Sequence, residues 1–268
     1  MSETPELLSL VLALRPENAE GSVSGWQGRA AHALFLKAVS AVDPALAERL
    51  HEGSEARPFT TSSLLGSPRK GDCALRFTGL TAEVSAALLQ TCLPGGLLEV
   101  GAPVQLDQAN FQVASAHTYS EEHPAAGQAS YAALAAAGLS AEPPRKLTLR
   151  FFSPTGFRSA GRHQPLPLPE LVFGSLLERW NAFSPVAFPA EARRYAAECV
   201  SISRFDLSSR ALPGKEGGLR IGCVGQAEYT ALTYDRYWQG VLAALAAFAR
   251  FAGVGANTTT GSGQCRAL

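Results

Sequence analysis

The last 34 residues, DRYWQGVLAALAAFARFAGVGANTTTGSGQCRAL (Asp235–Leu268), decide the fold. Apolar residues recur at Trp238, Val241, Leu242, Leu245, Phe248 and Ala249, the period of an amphipathic helix. Asp235 stands where such a helix needs a side-chain cap. A loop with glycines at 253, 255, 261 and 263 follows, and then QCRAL, which reads as a short strand. The order is helix, glycine loop, strand. A nucleotide-triphosphate loop requires G-x-x-x-x-G-K-[ST], and this loop contains no lysine. A dinucleotide loop leaves a strand and opens a helix, the reverse order, and counting from Gly253 puts Thr258 at the third glycine's place. Glycines at this density admit positive φ and close backbone approach. Their N–H groups, with neighbouring hydroxyls, could cradle an anion such as a phosphate. Taken alone, the segment reads equally well as a tight helix-to-strand connection or a C-terminal tail.

Working outward, the helix completes a repeat. A strand, RKLTLRFF (145–152), leads through SPTGFRSAGRHQPLP to a helix at 169–183 with Phe173, Leu176, Leu177 and Trp180 on one face. Strands CVSISRFDL (199–207) and LRIGCVGQAEYTAL (219–232) flank SSRALPGKEGG, read as a hairpin loop. In the second of them Leu219, Ile221, Cys223, Ala227 and Tyr229 share a face. With the C-terminal helix and strand the order is β-α-β-β-α-β, a ferredoxin-like unit. The N-terminal half gives the same order: a strand at Leu7–Leu14, a helix at about Trp26–Val42, and a short helix from Pro44 to Leu50 that Gly53 would cap. Strands 58–66 and 72–80 follow, joined by a Pro-Arg-Lys-Gly turn, then a helix at about 81–91 and strands between Leu97 and His117. The predicted architecture is α+β: two tandem ferredoxin-like (RRM-like) domains, residues 1–123 and 145–268, joined by an Ala-rich linker at 124–144.

A chain of 268 residues suits two such domains. No apolar run is long enough to span a bilayer, and MSETPELLSL lacks the basic start of a signal peptide. Five scattered cysteines, never spaced C-x-x-C, predict free thiols in a reducing cytoplasm. The net charge is zero, but residues 1–140 carry −6 and residues 141–268 carry +6. That asymmetry points to an anionic partner for the second half. Nineteen of the 23 basic residues are arginine, the side chain suited to bidentate phosphate contacts and to stacking on bases.

No nucleophile elbow, HExxH or paired-cysteine motif occurs. HTYSEEH (117–123) matches no metal spacing and reads as a solvated loop. His163, beside Arg162, could touch a phosphate or simply be exposed. His51 ends the short helix, where its charge would favour the helix C-terminus. His32 falls on the apolar face of its own helix, one turn before Leu36, where a core histidine would also sit. A histidine pair, an arginine-rich half and a phosphate-ready loop together suit RNA cleavage without a metal or other cofactor. In that reaction the RNA's own 2′-hydroxyl is the nucleophile and the protein moves two protons.

These segments resemble a known family. GVGANTTTGSGQ is similar to the C-terminal signature of the CRISPR-associated endoribonucleases that cut precursor CRISPR RNA within its repeats, members of the RAMP superfamily. FFSPTGFRSAG with LPLPELVFGSLLERWN (151–181) and LAERLHEGSEARPFTTSSL (46–64) add to the match. The resemblance implies the fold read above and CRISPR repeat RNA as partner, cut to 2′,3′-cyclic phosphate and 5′-hydroxyl ends. It implies a catalytic histidine at His51, with His32 as the second proton-transfer group. The chain has no tyrosine before Tyr119 to match members that use one, and Arg57 stands where others carry a lysine. The loop contacts implied are Gly253, Gly255, Asn257, Thr258, Gly261 and Gly263, and the gripping residues are Arg57, Arg158, Arg204, Lys215 and Arg220. A homodimer and a CRISPR effector complex stand open as further partners. The alternatives are a RAMP subunit that holds CRISPR RNA without cutting it, and a ferredoxin-like enzyme or sensor for a small phosphorylated metabolite.

Overall fold

The computed structural model describes residues 4–17, 26–52, 56–67, 72–140, 142–213 and 218–268, in two compact units. Residues up to 129 form the first, together with Thr259–Gly261, and Ser130–Thr258 with Ser262–Leu268 form the second.

The first unit runs β1 (Leu7–Pro16), α1 (Gly28–Val42), α2 (Pro44–Glu52), β2 (Phe59–Thr61), β3 (Leu65–Ser67), β4 (Asp72–Gly79), α3 (Ala82–Thr91), β5 (Pro103–Leu106), β6 (Ala109–His117) and β7 (Gly127–Ala129). Its antiparallel sheet has the order β2-β4-β1-β6-β5, with β3 also on β4 and β7 also on β1. Central β1 is buried on both faces, which explains why it is apolar from Leu7 to Leu14 apart from Ser9. Leu8, Leu10, Leu12 and Leu14 meet Phe35, Val39, Phe77 and Leu88 in one core. On the other face the Ser9 hydroxyl donates to the Ala125 carbonyl at 2.7 Å. Helix α2 starts at Pro44, whose missing N–H costs nothing there, and Asp43 Oδ1 accepts from Leu46 N at 2.9 Å. Thr81 caps α3 in the same way. The strand read as 58–66 is two short pieces on one partner, and residues 97–102 form turns ahead of β5. Gly53 and the turn at 68–71 lie outside the described residues.

The second unit runs α4 (Tyr131–Ser140), β8 (Lys146–Thr155), β9 (Phe157–Ser159), β10 (Arg162–Gln164), α5 (Pro169–Phe183), α6 (Glu191–Cys199), β11 (Val200–Pro213), β12 (Leu219–Ala231), α7 (Arg236–Ala252) and β13 (Cys265–Ala267). Its antiparallel sheet has the order β11-β12-β8-β13. In both units the first strand is central, β1 between β4 and β6 and β8 between β12 and β13, the ferredoxin-like arrangement. Helices α5 and α7 pack through Trp180 and Phe248, whose rings are 5.3 Å apart, and Phe173 reaches Tyr229 of the sheet at 5.5 Å. The stretch read as linker contributes β7 to the first unit and α4 to the second, where Tyr131 meets the Trp180 ring edge-on at 5.0 Å. Three elements outrun the sequence reading. The loop 153–167 folds into the β9–β10 hairpin, and α6 follows α5. Strand β11 continues to Pro213, so most of the stretch read as hairpin loop is strand paired with β12. Leu219 and Ile221 pair only with that extension, beyond the reach of β8, and are exposed, unlike Cys223, Ala227 and Tyr229 on the same run.

Candidate active site

The site in the first unit is built where two short pieces of chain, 26–32 and 61–63, converge on Thr259–Gly261. Helix α1 begins at Gly28, where nothing larger fits: a Cβ there would run into the Thr260 carbonyl. A Cβ on Gly261, at φ +96°, would come within 2.7 Å of the Trp26 ring and 2.8 Å of Ser63 N. Trp26 Nε1–H donates to Thr260 O at 3.0 Å, and Thr61 Oγ1–H donates to Thr259 O at 2.7 Å. Ser62 bridges Gly261 as a strand would.

His32, one turn into α1, completes this set. Its Nδ1 lies 2.8 Å from the Thr259 carbonyl oxygen. A carbonyl only accepts, so Nδ1 carries the proton and Nε2 of the neutral ring carries the lone pair. The ring tilts against Phe59 at 5.7 Å, and Phe59 in turn stacks on Phe35 at 4.1 Å. Burial is the largest influence on this imidazole and holds its pKa below the ordinary value. The Thr259 contact pulls the other way, while the charges of Arg57 and His51 push it further down. His51, exposed in the last turn of α2, and half-buried Arg57 are therefore electrostatic neighbours of His32. Arg57 Nη2 also donates to the His51 carbonyl at 2.9 Å, tying the chain after α2 back to its last turn.

In the second unit, most of the glycine loop's backbone is already spoken for. Gly253, in the left-handed region at φ +61°, ends α7, and its N–H donates to Ala249 O. Val254 N donates to Gly263 O, Ala256 N to Gly156 O, Gly263 N to Pro154 O, and Gln264 N to Ser153 Oγ. Helix α5 holds the loop from one side: Ser175 Oγ accepts from Gly255 N at 2.8 Å, and the Arg179 guanidinium donates to Ala252 O and Gly255 O. Burial pushes the Arg179 pKa down to about 10, although the residue keeps some exposure, so it stays cationic at neutral pH. The sequence carried a signal for this pair, a serine and an arginine at i and i+4 and so on one face of the helix.

Of the six loop residues singled out from the sequence, Gly253, Thr258, Gly261 and Gly263 are buried, and Asn257 at φ +60° and Gly255 offer surface. Arg158 and Gly255 line one hollow of about 180 Å3 with Arg193. Arg220 and Asn257 line a smaller one with Ser262 and His163, whose Nε2 contacts the Ile221 carbonyl. Arg204 is exposed on β11 opposite Glu228. Lys215 lies outside the described residues. In HTYSEEH, His117 and His123 stack at 6.1 Å, and His117 Nε2 meets Ser115 Oγ at 2.8 Å. Among the described residues no group of three or more His, Cys, Asp or Glu could hold a metal ion, and no helix is long and apolar enough to cross a membrane.

Comparison with known proteins follows the same division. A family model described as CRISPR-associated endoribonuclease Cas6 matches residues 149–265, and one described as the CRISPR Cas6 N-terminal domain matches residues 7–76. The CRISPR-associated endoribonuclease Cas6 of Mycobacterium tuberculosis (strain CDC 1551 / Oshkosh) is 31% identical over 124 residues, which is 46% of this chain and 38% of that relative's length. Among solved structures, a Cas6 product complex superposes with a TM-score of 0.83 at 31% identity, covering 98% of this chain and 100% of the other. Thermus thermophilus Cas6 gives 0.76 at 30% identity, covering 98% and 99%.

Proposed function

Because the chain belongs to the CRISPR-associated endoribonuclease Cas6 family, we propose that it cuts precursor CRISPR RNA within its repeats, without a metal ion. The observation that carries this reading is the fixed tautomer of His32. With Nδ1–H held by Thr259 O, the imidazole offers Nε2 as a base beside two further cationic or protonatable groups, Arg57 and His51.

The reaction needs three services. His32 Nε2 takes the proton of the 2′-hydroxyl as that oxygen attacks the adjacent phosphorus. His51, in its protonated form, gives a proton to the departing 5′-oxygen. Arg57 stabilises the extra negative charge of the phosphorane. One P–O bond forms and one breaks, leaving a 2′,3′-cyclic phosphate and a 5′-hydroxyl, with no net consumption of water. Proton transfer by positioned groups typically contributes about 10²–10⁴-fold each, so loss of either histidine should be severe but not total. Arginine is a poor proton donor at neutral pH, which assigns Arg57 to charge stabilisation and not to the acid step. Asn257, Gly255, Arg158, Arg204 and Arg220 are the groups of the second unit offered to the repeat's backbone. A cytoplasmic location suits this substrate.

The test is cleavage of a repeat RNA from the host's own CRISPR array in EDTA. Wild type should cut at one site, a 2′-deoxy nucleotide at that site should block cutting, and His32→Ala and His51→Ala should each slow it about 10²-fold or more. Tight binding by wild type without any cutting would instead identify a subunit that only holds CRISPR RNA.

A further inference from the structure

Helices α5 and α7 cover one face of the second unit's sheet, and the other face carries an aromatic residue among arginines. Alternation along β8 sends Leu147, Leu149 and Phe151 into the core and leaves Lys146, Thr148, Arg150 and Phe152 on the opposite side. Phe152 is 43% exposed, a costly position for a phenyl ring with no polar handle. The Arg150 guanidinium lies 5.3 Å from its centroid, and Arg266, the cross-strand partner of Arg150 on β13, lies 5.0 Å from it. Arg250, in the last turn of α7, is close enough to Arg266 for the two like charges to oppose each other.

Charge on this face is uneven. Toward its other end Lys146 Nζ pairs with Glu228 Oε1 at 3.0 Å, and Ser203 donates to the same oxygen. Near Phe152 the register sets Arg150 beside Arg266 on one side and the neutral Gln226 on the other, with Asp206 a further strand away. An exposed ring flanked by guanidiniums complements a ligand that is flat and anionic at once. A nucleobase with its own phosphates meets both requirements, whereas a peptide carboxylate would satisfy the arginines and leave the ring face in water.

We propose that this face is a stacking platform for unpaired RNA away from the cut, with one base on Phe152 and its flanking phosphates on Arg150 and Arg266. The proposal rests on the reading of the protein as an enzyme of CRISPR repeat RNA. It assigns these three residues to holding substrate and gives them no part in bond cleavage.

The test uses repeat RNA carrying 2-aminopurine at single unpaired positions, and a form trimmed to the nucleotides around the cut. With wild type, one position should lose fluorescence on binding as the base stacks. Phe152→Leu keeps apolar bulk but has no ring; it should abolish that quench and weaken binding about 10-fold or more, while Phe152→Trp retains both. The cleavage rate at saturating enzyme should not change, and the trimmed RNA should be cut equally well by all three proteins. If Phe152→Leu binds and quenches like wild type while cleavage proceeds normally, the platform is disproved and the nuclease reading stands. Equal damage on the trimmed RNA would make Phe152 a structural residue and also overturn the proposal. If wild type neither binds nor cuts any repeat RNA, the functional reading fails and this inference fails with it.

Discussion

At His32 two opposing effects act on one imidazole. Burial among Phe59 and its neighbours disfavours the imidazolium, whereas the Thr259 carbonyl, which accepts from Nδ1, favours it. Burial prevails, aided by the charges of Arg57 and His51, and the folded-state pKa lies below 6.5. The unfolded chain therefore binds this proton more readily than the folded one. The stability that follows is fully present above the unfolded value and is lost as pH falls through the folded value. Ring-nitrogen NMR should show His32 titrating below 6.5 as the Nδ1–H tautomer, and urea unfolding of His32→Gln should depend less on pH than wild type over that acid range. A ring titrating at or above 6.5 would show that burial does not prevail over the Thr259 contact at this site. The sequence put His32 on the inward face of a helix, and the family resemblance paired it with His51. Its partner could not be read there, because the Thr259 carbonyl is a backbone atom 227 residues away with no side-chain signature.

The elements themselves were largely legible, for a physical reason: each long helix buries one face, and that need writes a period into the chain. Helix α5 runs from Pro169 to Phe183 as its apolar spacing predicts, and α7 takes Asp235 as its cap, with Oδ1 accepting from Trp238 N at 3.0 Å. Helix α6 escaped notice because its buried face is only Ala192, Tyr195 and Ala196, a pattern that weak apolar content hides. The join between α5 and the glycine loop was illegible for a different reason. Arg179 acts there as a bridge between carbonyls, Ala252 O at the negative end of α7 and Gly255 O three residues on. Both acceptors would be left short of a donor in Arg179→Gln, at a cost of about 1.5–3 kcal/mol for charge-assisted hydrogen bonds. The expected result is a thermal midpoint lowered by about 3–12 °C. Faster hydrogen exchange at the Gly255 and Ala256 amides should accompany it. Unchanged exchange at those two amides would show that the loop keeps its shape without the bridge.

For the molecule as a whole, charge separates what composition conceals. A net charge of zero argues against a general polyanion binder, yet the chain divides into −6 before residue 141 and +6 after it. Two units with the same ferredoxin-like arrangement thus carry opposite signs, a difference that repeated architecture does not require. For an RNA substrate the basic half would supply most of the ion-dependent affinity. Each phosphate contact on a single strand adds about −0.7 to the slope of log K against log salt. The structure ranks the arginines offered to RNA. Arg204 faces Glu228, whose carboxylate is held below its ordinary range by the Ser203 hydroxyl and the Lys146 ammonium and feels the Arg204 charge as well. That acid shares in neutralising Arg204 before any RNA arrives. Arg158 and Arg220 instead line hollows beside Gly255 and Asn257, the surface-accessible part of the loop. Salt titrations of repeat-RNA binding should therefore show Arg158→Gln and Arg220→Gln each making the slope shallower by about 0.7, and Arg204→Gln by less. The opposite ranking would move the RNA path off the glycine loop and onto the β11 edge of the sheet.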